Sequence, residues 1–214
     1  TIVGGIAGWA TNGGSISGCH VTNAFIAGLA TTGGIAGSTN GNVSDCHASA
    51  TVTIHIAGNA QFGTNSFGGI VGSLSKVENA DTGISDCISS AKLTVADGVN
   101  DYSRCGGIVG ESSVTDGRGK ISFENCIAAG VTIPASGSSG PVVGYIQNTA
   151  FTKNYYLNCT VGGTVNFTDK GYGTLFGDGN TGYNDIKSLH VITFGPGLSG
   201  SGGIVVNGDT YYAA

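Results

Sequence analysis

Apolar and polar residues alternate over short, β-branched stretches along most of this chain. The clearest are Ala50-Thr51-Val52-Thr53-Ile54, Ala91-Lys92-Leu93-Thr94-Val95, Gly130-Val131-Thr132-Ile133 and Gly163-Thr164-Val165-Asn166-Phe167. A period of two with branched side chains predicts strands that turn one face to a core. No stretch sustains a helical period, and the 40 glycines would each cost a helix about 1 kcal/mol.

The strands recur within a longer period. Gly-Gly-Ile-(Ala/Val)-Gly blocks begin at Gly4, Gly33, Gly68 and Gly106, with degenerate copies at Gly140 and Gly173 and a relic at Gly202. The starts lie 29, 35, 38, 34, 33 and 29 residues apart. Each of the first five blocks is followed by an aliphatic or aromatic residue, a spacer, a Gly/Asp/Asn and a cysteine. These partners are Ile16-Ser17-Gly18-Cys19, Val43-Ser44-Asp45-Cys46, Ile84-Ser85-Asp86-Cys87, Phe123-Glu124-Asn125-Cys126 and Tyr156-Leu157-Asn158-Cys159. A period in this range means stacked repeats. Each copy reads as a short strand, a bend, a second strand and a third.

The residue before each cysteine is Gly18, Asp45, Asp86, Asn125 or Asn158, all types that tolerate a left-handed backbone. In a straight strand Ile84 and Cys87 would face opposite ways. A left-handed residue between them turns both inward, so this position is expected to be a corner. Stacking such units predicts an all-β fold, a parallel β-solenoid of about six Gly-rich coils with strands about 4.8 Å apart. Like residues then stack. The expected core ladders are Ile6, Ile35, Ile70 and Ile108, and Cys19, Cys46, Cys87, Cys126 and Cys159, beside an Asp/Asn corner ladder. Each buried Ile should contribute about 1.5–3 kcal/mol.

The Gly-Gly-Ile-Val-Gly block with a following Ile-x-Asn/Asp-Cys resembles the GLUG repeat family. The resemblance covers residues 1–165 and weakens to about 177. It implies a bacterial surface or secreted β-solenoid module, of the kind found in adhesin-like proteins and in non-catalytic regions of secreted peptidases. It brings no catalytic residues with it. The expected division is a repeat region over 1–182 and a C-terminal cap or strand-exchange segment over 183–214.

Charged residues are only 10% of the chain and the net charge is −5. The eight Lys and Arg are scattered, which argues against nucleic-acid binding. No apolar run approaches the roughly 20 residues of a membrane-spanning helix. Low charge with abundant Gly, Ser, Thr and Asn fits an extracellular or cell-surface location. Thr1 lies inside a repeat block and the chain has no Met, which reads as a processed protein or an excised fragment.

Six cysteines in a secreted chain ordinarily suggest disulfides. Here five share one repeat position, so buried thiols acting as small hydrophobes are expected. Bridges between neighbouring coils remain an alternative, because stacked Cα atoms fall within disulfide range. Cys105 lies outside the ladder and could pair with Cys87 or Cys126.

His20 and His47 each follow a ladder cysteine. With cysteines inward and histidines outward, no shared zinc coordination is expected, and both histidines should be exposed. Asp178-Gly179-Asn180-Thr181-Gly182-Tyr183-Asn184-Asp185 carries oxygen ligands at alternate positions, so Asp178, Asn180 and Asp185 are candidate calcium ligands. The segment lacks a closing bidentate Glu, and a Gly/Asn-rich pair of turns is the competing reading. The loop Asp97-Gly98-Val99-Asn100-Asp101 is a weaker case. No cofactor is otherwise expected.

Solenoid enzymes acting on polysaccharides need clustered carboxylates on one sheet. The 13 acids here are spread out, so no enzyme activity is expected. The expected role is a structural or adhesive module, with head-to-tail self-association into a filament, neighbouring modules of a longer chain, or surface glycans as partners. The alternative is a carbohydrate-binding or carbohydrate-degrading β-helix.

Overall fold

A computed structural model describes residues 1–11, 13–54, 65–76, 82–95, 103–114, 121–134, 138–146, 149–152, 154–157, 159–161, 164–165, 180–183, 204–206 and 209–211. Every regular element among them is a strand. The first repeat holds β1 (Ile2–Gly4), β2 (Ala7–Ala10), β3 (Ile16–Ser17) and β4 (His20–Gly28). The second holds β5 (Thr31–Gly33), β6 (Ala36–Thr39), β7 (Asn42–Ser44) and β8 (His47–Ile54). The third holds β9 (Asn65–Gly68), β10 (Val71–Lys76), β11 (Gly83–Ser85), β12 (Ile88–Ser89) and β13 (Lys92–Val95). The fourth holds β14 (Ser103–Gly106), β15 (Val109–Val114), β16 (Ile121–Glu124), β17 (Ile127–Ala129) and β18 (Thr132–Ile133). The fifth holds β19 (Ser138–Gly140), β20 (Val143–Ile146), β21 (Thr149–Thr152), β22 (Asn154–Leu157) and β23 (Thr160–Val161). Beyond it lie β24 (Thr164–Val165), β25 (Asn180–Tyr183), β26 (Ile204–Val206) and β27 (Asp209–Tyr211).

Successive repeats pair strand on strand. The first sheet runs β1-β5-β9-β14-β19, the second β2-β6-β10-β15-β20 and the third β3-β7-β11-β16-β21. The fourth is built from β4, β8, β12–β13, β17–β18 and β22–β23 and continues into β25. Pairing between repeats is parallel throughout these sheets; β23–β24 and the hairpin β26–β27 are antiparallel. Parallel stacking keeps equivalent residues on one row. Val71 pairs with both Ala36 and Val109, and Ile84 with both Val43 and Phe123.

The Gly-Gly-Ile block is not a strand. Its second Gly and the Ile form an arch between the first and second sheets, and its hydrogen bonds run up the stack. Both Ile35 N and Ala36 N donate to Ile70 O, and both Ile70 N and Val71 N donate to Ile108 O. Side chains inside the arches and corners form one core, including Ile35, Val43, Cys46, Phe67, Ile70, Leu74, Ile84, Cys87, Ile108, Phe123 and Cys126. Ile35, Ile70 and Ile108 are fully enclosed. Ile6 departs from the expected ladder and is 52% exposed, because the first repeat has a neighbour on one side only.

The corner residues lie in the left-handed region. Gly18 has φ 62°, and Asp45, Asp86 and Asn125 each have φ 53°. Two further left-handed residues absorb length differences. His20 to Phe25 spans one residue more than its partners His47 to Thr51, and Asn23, at φ 53°, forms the bulge. Ile127 to Thr132 is longer by one than Ile88 to Lys92, and Gly130, at φ 66°, lies within that stretch.

Candidate functional site

The cysteine corner explains why sulfur recurs there. The left-handed residue interrupts the third ladder, and the carbonyl three residues before each cysteine meets a thiol from the next repeat. Cys46 Sγ lies 3.9 Å from Ile16 O, Cys87 Sγ 3.8 Å from Val43 O and Cys126 Sγ 3.7 Å from Ile84 O. A thiol is a small apolar filler that is also a weak donor. Shorter contacts within the repeat add to this, with Cys46 Sγ 3.1 Å from Ser44 O and Cys126 Sγ 3.4 Å from Glu124 O.

The fifth repeat corrects the ladder. Tyr155 pairs with Ile127 and Thr160 with Thr132. That register sets Cys159 level with Val131, not with Cys126; the corner candidate Asn158 lies outside the described residues. Asn154 takes the cysteine's place. It is fully buried, its Nδ2 donates to Phe123 O at 3.1 Å, and its Oδ1 accepts from Cys126 N at 3.0 Å. The donor to the i−3 carbonyl is thus kept while the residue changes. Cys159 Sγ instead bonds Ala128 O at 3.2 Å. All six cysteines are thiols. Cys105 lies in β14, paired with Phe67 and Ser139 in the first sheet, away from Cys87 and Cys126. Burial and the flanking thiols push the Cys87 thiol well above its ordinary pKa.

One corner carboxylate is engaged by the next corner. Asp86 Oδ1 accepts from Asn125 Nδ2 at 3.2 Å, which ties one corner to the next. Among the described residues, no three His, Cys, Asp or Glu side chains converge in a metal-binding group. Of the calcium candidates, Asp178 and Asp185 lie outside the described residues and Asn180 opens β25. The Asp97–Asp101 loop also lies outside them.

His47 overturns the expectation of exposed histidines. It is 1% exposed, and neither ring nitrogen has a hydrogen-bond partner. Its row continues through Ile88 and Ile127, which are also buried, so this row is covered rather than solvated. His20 pairs with it on the first repeat, the rings edge-to-face with centroids 6.1 Å apart. Burial, with a smaller effect from His20, pulls the His47 pKa down from 6.5 to about 4. The unfolded chain therefore binds the proton first as pH falls. Stability is expected to be full above about pH 6.5 and to fall by about 2–3 kcal/mol as pH drops from there to 4. Urea unfolding across this range checks it: His47→Ile should flatten that part of the profile.

Two other polar features are present. Arg104 and Glu111 form an ion pair, Ser66 Oγ bonds Glu111 Oε2 at 2.7 Å, and the Arg104 guanidinium lies 3.8 Å from the Tyr145 ring centre. These partners pin the first sheet to the second. On the fourth sheet, an open depression of about 400 Å³ lies beside the Asn23 bulge. Phe25, 70% exposed, borders it with Asn23, Ser49, Thr51, Ser90 and Lys92. The sequence signal for this surface was present in the polar positions of the alternating third segments.

Four parallel ladders, the arches at Ile35, Ile70 and Ile108 and the left-handed corners before Cys19, Cys46, Cys87 and Cys126 are set by one repeated motif. Residues 1–26 match the family model described as the GLUG motif. The first repeat of the chain is therefore similar to the GLUG motif. Later repeats stack in register on this one, with buried isoleucines at the arches and aspartates at two of the corners. Neither the curated proteins nor the solved structures gave a match.

Proposed function

We propose that the chain is a GLUG-type β-solenoid module with a structural or adhesive role outside the cell or on its surface. The observation that carries this reading is the strand-on-strand stacking of five repeats, which presents lateral sheet faces. Such stacks present extended surfaces for contact rather than a reaction centre. Residues 1–182 form the repeat region, with β25 extending its fourth sheet. Residues 183–214 serve as a cap or strand-exchange segment; the contact of β26 with β17 supports a cap. Among the described residues no helix is long and apolar enough to cross a membrane. Its partners are neighbouring modules, further copies of the chain, or surface glycans.

The depression beside Phe25 favours a second reading, a carbohydrate-binding β-helix. An exposed aromatic ring offers a stacking face, and hydroxyls, an amide and an ammonium surround it.

Beads coated with the full chain should adhere to cells or to glycan-coated surfaces without releasing reducing sugar from those glycans. Sugar release would overturn the non-catalytic role. Absence of adherence to every surface would overturn the adhesive role.

A further inference from the structure

The geometry points to a transition-metal site formed by His20 and His47, which we infer holds one imidazole-preferring ion between two successive rungs of the fourth sheet. Three observations converge on it. The two residues are register partners on adjacent parallel strands. His47 is 1% exposed with Nδ1 and Nε2 both unpartnered, and a buried polar group without a partner calls for a ligand or ion. The next two rungs of this row are Ile88 and Ile127, so packing requires only an apolar side chain there. Imidazole replaces it on both successive rungs.

The ring geometry fits. An imidazole binds zinc at about 2.0–2.1 Å, which puts each ring centre about 3.2 Å from the ion. Two such rings on one ion then have centres at most about 6.4 Å apart, and about 5.2 Å at a tetrahedral angle. The observed 6.1 Å, with planes at 80°, lies inside that span, and closing by about 1 Å needs only small side-chain rotations. The cysteines beside them do not share the ion. Cys46 belongs to the inner core cluster and bonds corner carbonyls, whereas Ile88 and Ile127, the buried residues that continue the His47 row, are not part of that cluster. No third His, Cys, Asp or Glu joins the pair among the described residues, which leaves coordination positions for water or an external ligand. The ion would be zinc, nickel or copper, the divalent ions that imidazole suits.

The test is a titration of the full chain with ZnCl2 at pH 7.5, followed by calorimetry, with copper(II) loaded in parallel for electron paramagnetic resonance. The expected result is one zinc per chain and a copper signal split by two imidazole nitrogens. His20→Ala, on the partly exposed side, should weaken zinc binding at least ten-fold. His47→Ile puts at this rung the residue that its neighbours carry, so it should fold and lose binding likewise, with circular dichroism verifying the fold. The double variant His55→Ala/His190→Ala should bind as the parent does. The inference is overturned if the parent takes up no zinc, if His20→Ala binds as well as the parent, or if binding is lost with His55 and His190 instead.

Discussion

Gly68→Ala is expected to cost at least about 4 kcal/mol, enough to remove most of the stability of an ordinary domain. Gly68 is the last residue of β9, where the chain enters the arch to the second sheet. A Cβ built there would run into the carbonyl of Val71 in its own repeat and lie 2.8 Å from Ile108 O in the next. Both obstacles are backbone, so no rotamer change relieves them. Moving Ile108 O would disrupt the bonds it accepts from Ile70 N and Val71 N. Gly33 and Gly106 meet the equivalent carbonyls of Ala36 and Val109, so the requirement belongs to the repeat and not to one site. Gly18→Asn is the control. Gly18 is left-handed at φ 62°, nothing lies within 4 Å of its built Cβ, and Asn occupies the same corner at position 125. It should shift stability by no more than about 1 kcal/mol. Urea unfolding followed by circular dichroism decides the matter. An unchanged midpoint for Gly68→Ala would mean that the arch is not closed as tightly as described.

Ile70→Ala should cost about 2–5 kcal/mol, the range for emptying a core position that cannot collapse. Ile70 is fully enclosed between Ile35 and Ile108, and its own backbone nitrogen and carbonyl hold the rungs on either side. Neighbouring side chains are therefore fixed at the strand spacing and cannot move in to fill the void. Ile6→Ala tests the same side chain without the same surroundings. With Ile6 52% exposed, its loss should stay below about 1 kcal/mol. Equal losses at both positions would show that the isoleucine row does not form the core.

The corner could be read from the sequence because it depends on local backbone sterics. A left-handed residue at positions 18, 45, 86 and 125 restricts the residue type wherever it occurs, so Gly, Asp and Asn mark it directly. The isoleucines of the middle repeats were legible for a similar reason, since parallel stacking sends equal positions to equal burial. The arch was not legible. Gly-Gly-Ile has no side-chain pattern that separates a bend from an extended segment, and only its pairing with the next repeat shows the difference.

The fifth repeat misled in a more specific way. Tyr156-Leu157-Asn158-Cys159 copies the corner motif in letters, yet the ladder hydrogen bonds set it about five residues further along the fourth sheet. Asn154 then supplies the donor that the thiol supplies elsewhere, with no shared letter to announce it. Likewise nothing in Cys46-His47 distinguishes an exposed histidine from one held at 1% exposure on a row of isoleucines. The sequence by itself determined the strand content, the repeat period and the left-handed corners, because each follows from the conformational limits of a few neighbouring residues. Tertiary structure alone decided which rung lies over which, and with it the places of Cys159, Asn154 and His47. Register is settled by hydrogen bonding and burial summed along whole strands, and no short motif carries that sum.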